Sequence, residues 1–250
     1  MRGDYLMAGK KRDVKNKSGE SRKEALSLLM LLAGGSIYKL GAVLAAMVLA
    51  ETVLLTVASQ NGTGMESNLY NHSVFFIFMM ALGLVFFVLA HMEGTMGTKG
   101  RHTLRRLKLS GTAVFLIEAG YNLLCLTIIF IIQVWIAILA VKVWGGAAGR
   151  SVQGLFLAFY RIEFLHCLVP MEEAGKWLRN LLMLFALALG AACSYWEREY
   201  VLPALVLLIT AVWFVGGIGS SFEDYACIVL YLLGIAEAIW LIWKRRETED

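Results

Sequence analysis

The sequence predicts an all-α integral membrane protein that crosses the bilayer six times. Hydrophobic residues make up 59% of its 250 residues, and its mean hydropathy is +0.67. Several apolar runs reach the roughly 20 residues that a helix needs to cross a hydrocarbon core. Lipid offers the backbone no hydrogen-bond partners, so these runs must form helices or a closed barrel, and they lack the alternation of barrel strands.

The chain before the first span divides into two parts. Residues 1–20 are rich in Lys, Gly, Ser and Asn and predict a disordered basic tail, whereas residues 21–250 form a single transmembrane domain. Ser21 and Glu24 have the spacing of a capping box before a leucine-rich stretch. This stretch is too short to span the bilayer, so we predict an N-terminal interfacial helix over 21–34. The alternative is a helical extension of the first span.

Six apolar runs are long enough to be spans. They cover residues 36–58, 73–91, 111–143, 179–195, 201–218 and 222–243. A further apolar stretch at 155–168 carries Arg161, Glu163 and His166. Central charges cost about 2.5–3.5 kcal/mol each on insertion scales, so we predict that this stretch is an interfacial or re-entrant helix.

The orientation follows from the basic residues. Eight Lys and Arg precede the first span, five lie between the second and third spans, and three follow the last. Cytoplasmic loops carry an excess of Lys and Arg, so both termini are predicted on the cytoplasmic side of the plasma membrane. A seventh span within 144–178 would leave the basic cluster at 244–246 outside, which favours six spans. The net charge of +4 reflects this asymmetry and does not indicate a nucleic-acid partner.

No catalytic or metal-binding residues are predicted. The four cysteines, at 125, 167, 193 and 227, are isolated and lack the spacing of a metal site. Glu172 and Glu173 resemble the paired glutamates of intramembrane proteases, but histidines at metal-ligand spacing are missing. A membrane hydrolase is therefore not expected, and no cofactor is predicted on this chain.

Polar residues inside the predicted spans are candidates for function, since ionisable groups in lipid are rare and costly. Glu118, Asn122, Cys125 and Gln133 share one helical face of the third span, which should point into protein or a wet cavity.

Three further ionisable residues lie inside other spans. Lys39 and Glu237 fall in the cytoplasmic third, as does Glu118, so an ion pair from Lys39 to one of these acids is predicted as a structural tie. Glu51 lies in the outer half of the first span, with Lys142 as its nearest candidate partner.

The loop between the second and third spans predicts a short amphipathic cytoplasmic helix. Its sequence from 101 to 110 is RHTLRRLKLS, which places Leu104 and Leu107 on one side and Arg101, Arg105 and Lys108 on the other. Such a helix docks on lipid or on a partner protein.

The order of these parts resembles the membrane permease subunit of an ABC transporter of the ABC-2 (type V) class. The segments 91–95 and 103–110 are similar to the E-x-G-T and T-L-x-x-L-x-x-(P)-S pattern of that family's coupling helix. Lys108 and Leu109 stand where proline is often found, and the glycine-rich insertion at 96–100 departs from the pattern. The order of helices and loops is similar over the whole chain, whereas the similarity in sequence motif covers about twenty residues.

The resemblance implies that the loop contacts a separate ABC ATPase. The residues that it assigns to ATPase coupling are Glu93, Gly94, Thr95, Thr103, Leu104, Arg105, Arg106 and Leu107. The chain lacks G-x-x-x-x-G-K-[ST], so ATP and Mg would be bound by the partner. Two ATPase copies and a second permease, identical or related, are expected, and the apolar spans favour export of a hydrophobic or amphipathic substrate.

Two other functions stay open. An ion-coupled secondary carrier would use Glu118, Glu51 or Glu237, although the inverted repeat and broken helices common in such carriers are not seen in the sequence. A non-transporting membrane scaffold or sensor subunit is the third possibility.

Overall fold

The computed structural model describes residues 3–61, 69–91, 110–144, 151–170, 174–197, 206–207, 210 and 221–249, and this part of the chain is helical without strands. A π-helical turn, Leu69–Val74, precedes the second helix. The α-helices are α1 (Gly3–Gln60), α2 (Phe75–Ala90), α3 (Gly111–Trp144), α4 (Val152–Arg161), α5 (Glu163–Leu168), α6 (Ala174–Glu197) and α7 (Ser221–Glu249).

Five of the described helices are long and apolar enough to cross a membrane. Their apolar stretches are Lys23–Gln60, His72–Ala90, Gly111–Trp144, Ala174–Cys193 and Glu223–Lys244. They correspond to five of the six predicted spans and confirm the prediction of an all-α membrane protein. Of the remaining predicted span, 201–218, the structure describes only residues 206, 207 and 210. The predicted cytoplasmic helix at 101–110 lies outside the described residues except for Ser110.

α1 differs from its prediction, because it runs without a break from Gly3 to Gln60. Leu28 and Leu32 are buried in the bundle core, so this part of the chain is not a separate helix lying along the interface. Propagating an existing helix avoids the cost of a new nucleus. That saving and the burial of two leucines outweigh the penalty for Gly34 and Gly35 within a helix, which is about 1 kcal/mol for each glycine. The alternative, an extension of the first span, therefore describes α1, which also includes residues 3–20 of the predicted tail.

α1 and α3 run parallel, and two polar contacts establish this direction. The hydroxyls of Ser36 and Tyr121 share a hydrogen bond of 2.7 Å. Further along both helices, Gln133 Nε2 donates to Glu51 Oε2 over 3.3 Å. α2 follows α1 after a short connection and packs beside it, so α2 is antiparallel to both.

α6 is antiparallel to α3 and parallel to α7. Asn122 on α3 donates to the carbonyl of Ala188. Phe115, two turns before Asn122, packs in the same cluster as Ala192, which follows Ala188. α7 contacts the beginning of α6 through Asp224 and the end of α6 through Ile242, which fixes the parallel direction. The chain thus leaves α6 at one end of the bundle and enters α7 at the other.

The segment predicted as one interfacial or re-entrant helix is two short helices. α4 has ten residues and α5 has six, so each is too short to span the bilayer. The break falls at Ile162, whose backbone is extended, between the exposed charges of Arg161 and Glu163. α5 packs into the bundle, and the ring of Phe164 lies edge-on to Phe75 with centroids 5.6 Å apart.

Candidate functional site

The predicted ATPase-coupling residues lie within 92–109, outside the described residues, but both helix ends that hold this segment are described. α2 ends at Ala90, and the ring of His91 stacks on Phe87 with centroids 4.0 Å apart. Ser110 precedes α3, and its hydroxyl accepts from the backbone N–H of Ala113 at 3.3 Å. This is a typical N-cap contact, so α3 begins with a capped helix start at Ser110.

The helix ends that adjoin the basic segments lie at one end of the bundle. α2 ends and α3 begins there, and the helix directions place the Lys23 region of α1 and the last turns of α7 at the same end. We call this the basic end. In α7, the Lys244 ammonium lies 5.1 Å from the centre of the Trp240 ring. The opposite end, called the far end, holds the end of α1, the start of α2, the end of α3 and the starts of α6 and α7.

The first polar site is the Glu51 cluster, formed by Glu51, Gln133 and Tyr70. It lies toward the far end, and the three residues are 0%, 0% and 1% exposed. One oxygen of each, Glu51 Oε1, Gln133 Oε1 and the Tyr70 hydroxyl, has no hydrogen-bond partner. Burial and the nearby carboxylate of Glu51 both raise the pKa of Tyr70 above its usual value. Three buried oxygens therefore lie in one region without protein partners.

The structure divides the predicted intramembrane polar residues into two groups. Glu51, Glu118, Asn122 and Gln133 are buried within the bundle, and the last three lie on the face of α3 that their spacing predicted. Lys39 and Glu237 are exposed instead. Ser36 and Leu40 of α1 are buried whereas Lys39 is not, and the ion pair predicted for Lys39 is not found in the described part of the chain.

The second polar site, the Arg179 cluster, was not predicted. Arg179 is 1% exposed, and its Nη1 donates to Asp224 Oδ1 at 2.6 Å. Its Nη2 donates to Asn180 Oδ1 at 3.1 Å, and Asn180 Nδ2 donates to the carbonyl of Cys167 at 2.8 Å. The cluster thereby ties the starts of α6 and α7 to α5. The available sequence signal was an arginine at the first position of one predicted span and two acids, Glu223 and Asp224, at the start of another, since charges in lipid need a partner.

Cys167 contributes its carbonyl to this cluster, and its thiol lies in the same buried surroundings. Burial raises the pKa of the Cys167 thiol, while Arg179 acts in the opposite direction. All four cysteines are free thiols that are buried or partly buried. In the described part of the chain, no group of three His, Cys, Asp or Glu side chains could hold a metal ion. The contacts of the Arg179 cluster thus suit the positioning of helices.

The chain matches no protein-family model, and neither a curated protein nor a solved structure shows significant similarity to it. Function is therefore inferred from the helix contacts and from the distribution of charge between the two ends.

Proposed function

We propose that this chain is the transmembrane permease subunit of an ATP-driven ABC transporter of the ABC-2 class, with ATP hydrolysis supplied by a separate ATPase. One observation carries the proposal: α2 ends and α3 begins at the basic end of the bundle, and the sequence that joins them, 92–109, contains five Lys and Arg. This end also holds Lys23 and Lys244. A cytoplasmic partner with an acidic groove would meet the segment there.

α3 is suited to carry a movement of the segment across the bundle. Its 34 residues form a helix about 51 Å long, and its start is capped by Ser110. Along its length it bonds α1 through Tyr121 and Gln133 and α6 through Asn122. Closure of two ATPase subunits against the segment would displace α3, and these contacts would transmit the displacement to α1 and α6.

The proposed topology has six spans with both termini cytoplasmic. α6 and α7 are parallel, so the chain between Glu197 and Ser221 must return from the basic end to the far end. Twenty-three residues separate them, and a helix of that length would extend about 34 Å, enough to cross a hydrocarbon core. The hydroxyl of Thr210 lies 2.7 Å from that of Tyr231 in the middle of α7. We therefore assign 201–218 as the fifth of six spans.

This topology predicts that position 220 faces the outside. In a variant whose native cysteines are replaced by serine, Ser220→Cys is expected to react with a membrane-impermeant maleimide on intact cells. The control Ser18→Cys, in the basic N-terminal region, should react only after lysis. Labelling of position 220 only after lysis would reject the six-span assignment.

The proposed complex contains two ATPase subunits, which bind ATP and Mg, and a second permease, identical or related. Large apolar side chains such as Phe76, Trp135 and Leu233 are 64%, 61% and 61% exposed and face the lipid or a second permease. A bundle with few polar groups favours export of a hydrophobic or amphipathic cargo.

The test of the proposed function is recovery of the ATPase with the tagged chain in mild detergent. Reversal of two charges, Arg105→Glu with Arg106→Glu, is expected to reduce the recovered ATPase at least about tenfold, because like charges across an interface cost several kcal/mol. The variant should still insert in the membrane at wild-type levels.

The matched control is Lys10→Glu with Lys11→Glu, which changes the net charge equally on α1. This variant is expected to retain the ATPase. Equal recovery of the ATPase by the wild type and by both variants, or recovery of no ATPase with the wild type, would contradict the proposed function.

A further inference from the structure

We propose that the Glu51 cluster is a binding site for one small monovalent cation, Na⁺ or a proton. This inference is independent of the proposed function, since it concerns the far end of the bundle and not the ATPase-binding segment. It rests on the contacts, burial and charge of Glu51, Gln133 and Tyr70.

The geometry leaves three oxygens available for a ligand. Gln133 Nε2 donates to Glu51 Oε2, which fixes the orientation of the amide. Gln133 Oε1, Glu51 Oε1 and the Tyr70 hydroxyl make no hydrogen bond to protein, and all three residues are at most 1% exposed. Buried polar atoms nearly always have partners, so a group of three without protein partners indicates a bound water or ion.

The charge of the site requires a counter-ion from solution. An isolated buried carboxylate is very costly unless it is neutralised. Of the described elements near Glu51, α2 has no ionisable side chain, and Tyr70 of the π turn and Gln133 of α3 are uncharged neighbours. Lys142 of α3 and His72 of the π turn are exposed, and no ion pair of Glu51 is found in the described part of the chain. A cation taken up from water is therefore the simplest source of the missing charge.

The chemistry of the oxygens selects the class of cation. Carboxylate, amide carbonyl and phenol oxygens are hard ligands, which favour alkali ions over metals that prefer nitrogen or sulfur. One carboxylate balances one positive charge, whereas a divalent ion would leave an excess charge buried. A proton satisfies the same balance by binding to Glu51 Oε1. Both species would occupy the same carboxylate and hence compete.

Binding would connect three separate parts of the chain. Glu51 belongs to α1, Gln133 to α3 and Tyr70 to the π turn before α2. A cation shared by their oxygens would hold these elements together at the far end, so occupancy should stabilise the folded bundle. This effect can be measured without knowledge of the transported cargo.

The test is thermal unfolding of the purified full-length chain in detergent, followed by tryptophan fluorescence. Buffers contain N-methyl-D-glucamine chloride, and NaCl replaces it at constant ionic strength between pH 6 and pH 9. We expect Na⁺ to raise the Tm of the wild type at pH 8.5 with saturation, and lower pH to raise the Tm without Na⁺. The Glu51→Gln variant, a neutral isostere, should lose both responses, whereas the exposed control Glu237→Gln should keep them.

The outcomes separate the two cations. A saturable Na⁺ response that requires Glu51 identifies Na⁺, and a response to pH alone that requires Glu51 identifies the proton. Identical responses of the wild type and Glu51→Gln to both Na⁺ and pH would overturn the proposal.

If Glu51→Gln does not fold, Tyr70→Phe replaces it. Loss of this one oxygen should raise the half-saturating Na⁺ concentration about fivefold or shift the midpoint of the pH response, and no change in either would overturn the site.

Discussion

Replacement of Arg179 by methionine is expected to reduce the free energy of unfolding by about 3–5 kcal/mol, because removal of one partner leaves a buried charge uncompensated. In the native chain, Asp224 is buried and its carboxylate accepts from Arg179 at 2.6 Å. The substitution also removes the donors that hold Asn180, which in turn bonds α5. Unfolding in mixed detergent micelles, followed by circular dichroism, measures the loss.

Two further variants establish the origin of this loss. The double variant Arg179→Met with Asp224→Leu removes both charges, and it should recover most of the stability, since apolar pairs often replace buried ion pairs without cost. Arg161→Met changes an exposed arginine on α4 and should alter stability by no more than about 0.5 kcal/mol. A similar loss for Arg161→Met and Arg179→Met would show that the Arg179 cluster does not tie these helices together.

Replacement of Phe164 by alanine is expected to cost about 3–5 kcal/mol, the usual range for a buried phenylalanine. Phe164 is 3% exposed, and its ring lies 5.6 Å from that of Phe75 and 6.0 Å from that of Phe78. These contacts dock α5 against α2. Measurement of the unfolding free energy in the same micelles gives the size of the effect.

Phe156→Ala is the matched control for Phe164→Ala. Phe156 belongs to α4, is 46% exposed and stacks only on Tyr160 among the aromatic contacts described for it. Its loss should cost much less than that of Phe164. Equal costs at the two positions would mean that α4 and α5 share the same surroundings, as expected for a single interfacial helix and contrary to a docked α5.

The two clusters near the far end have different consequences for function. In the Arg179 cluster a cation and an anion meet in a buried ion pair. The Glu51 cluster contains one carboxylate and two uncharged partners, so it needs an external charge. We therefore expect Na⁺ and protons to bind at the Glu51 cluster, whereas the Arg179 cluster joins helices. This contrast separates a structural tie from a binding site.

The sequence by itself determined the all-α membrane class of this protein and the location of most of its helices. Apolar length is a local property, so five predicted spans agree with helices of the structure. The inward face of α3 was also predictable, because Glu118, Asn122 and Gln133 follow the helical period and their burial avoids the cost of polar groups in lipid. The orientation predicted from the basic loops stays a prediction.

Only the tertiary structure decided which polar groups meet. Arg179 and Asp224 are 45 residues apart in sequence, and Glu51 and Gln133 are 82 apart. Such contacts depend on how each helix is rotated and on which neighbour it packs against. The hydropathy of a segment specifies neither its rotation nor its neighbour. The same reason explains why Lys39 and Glu237 proved exposed and why Tyr70 was not predicted as a site residue. The continuity of α1 was likewise a tertiary result, because burial of Leu28 and Leu32 in the core favoured one long helix over an interfacial break.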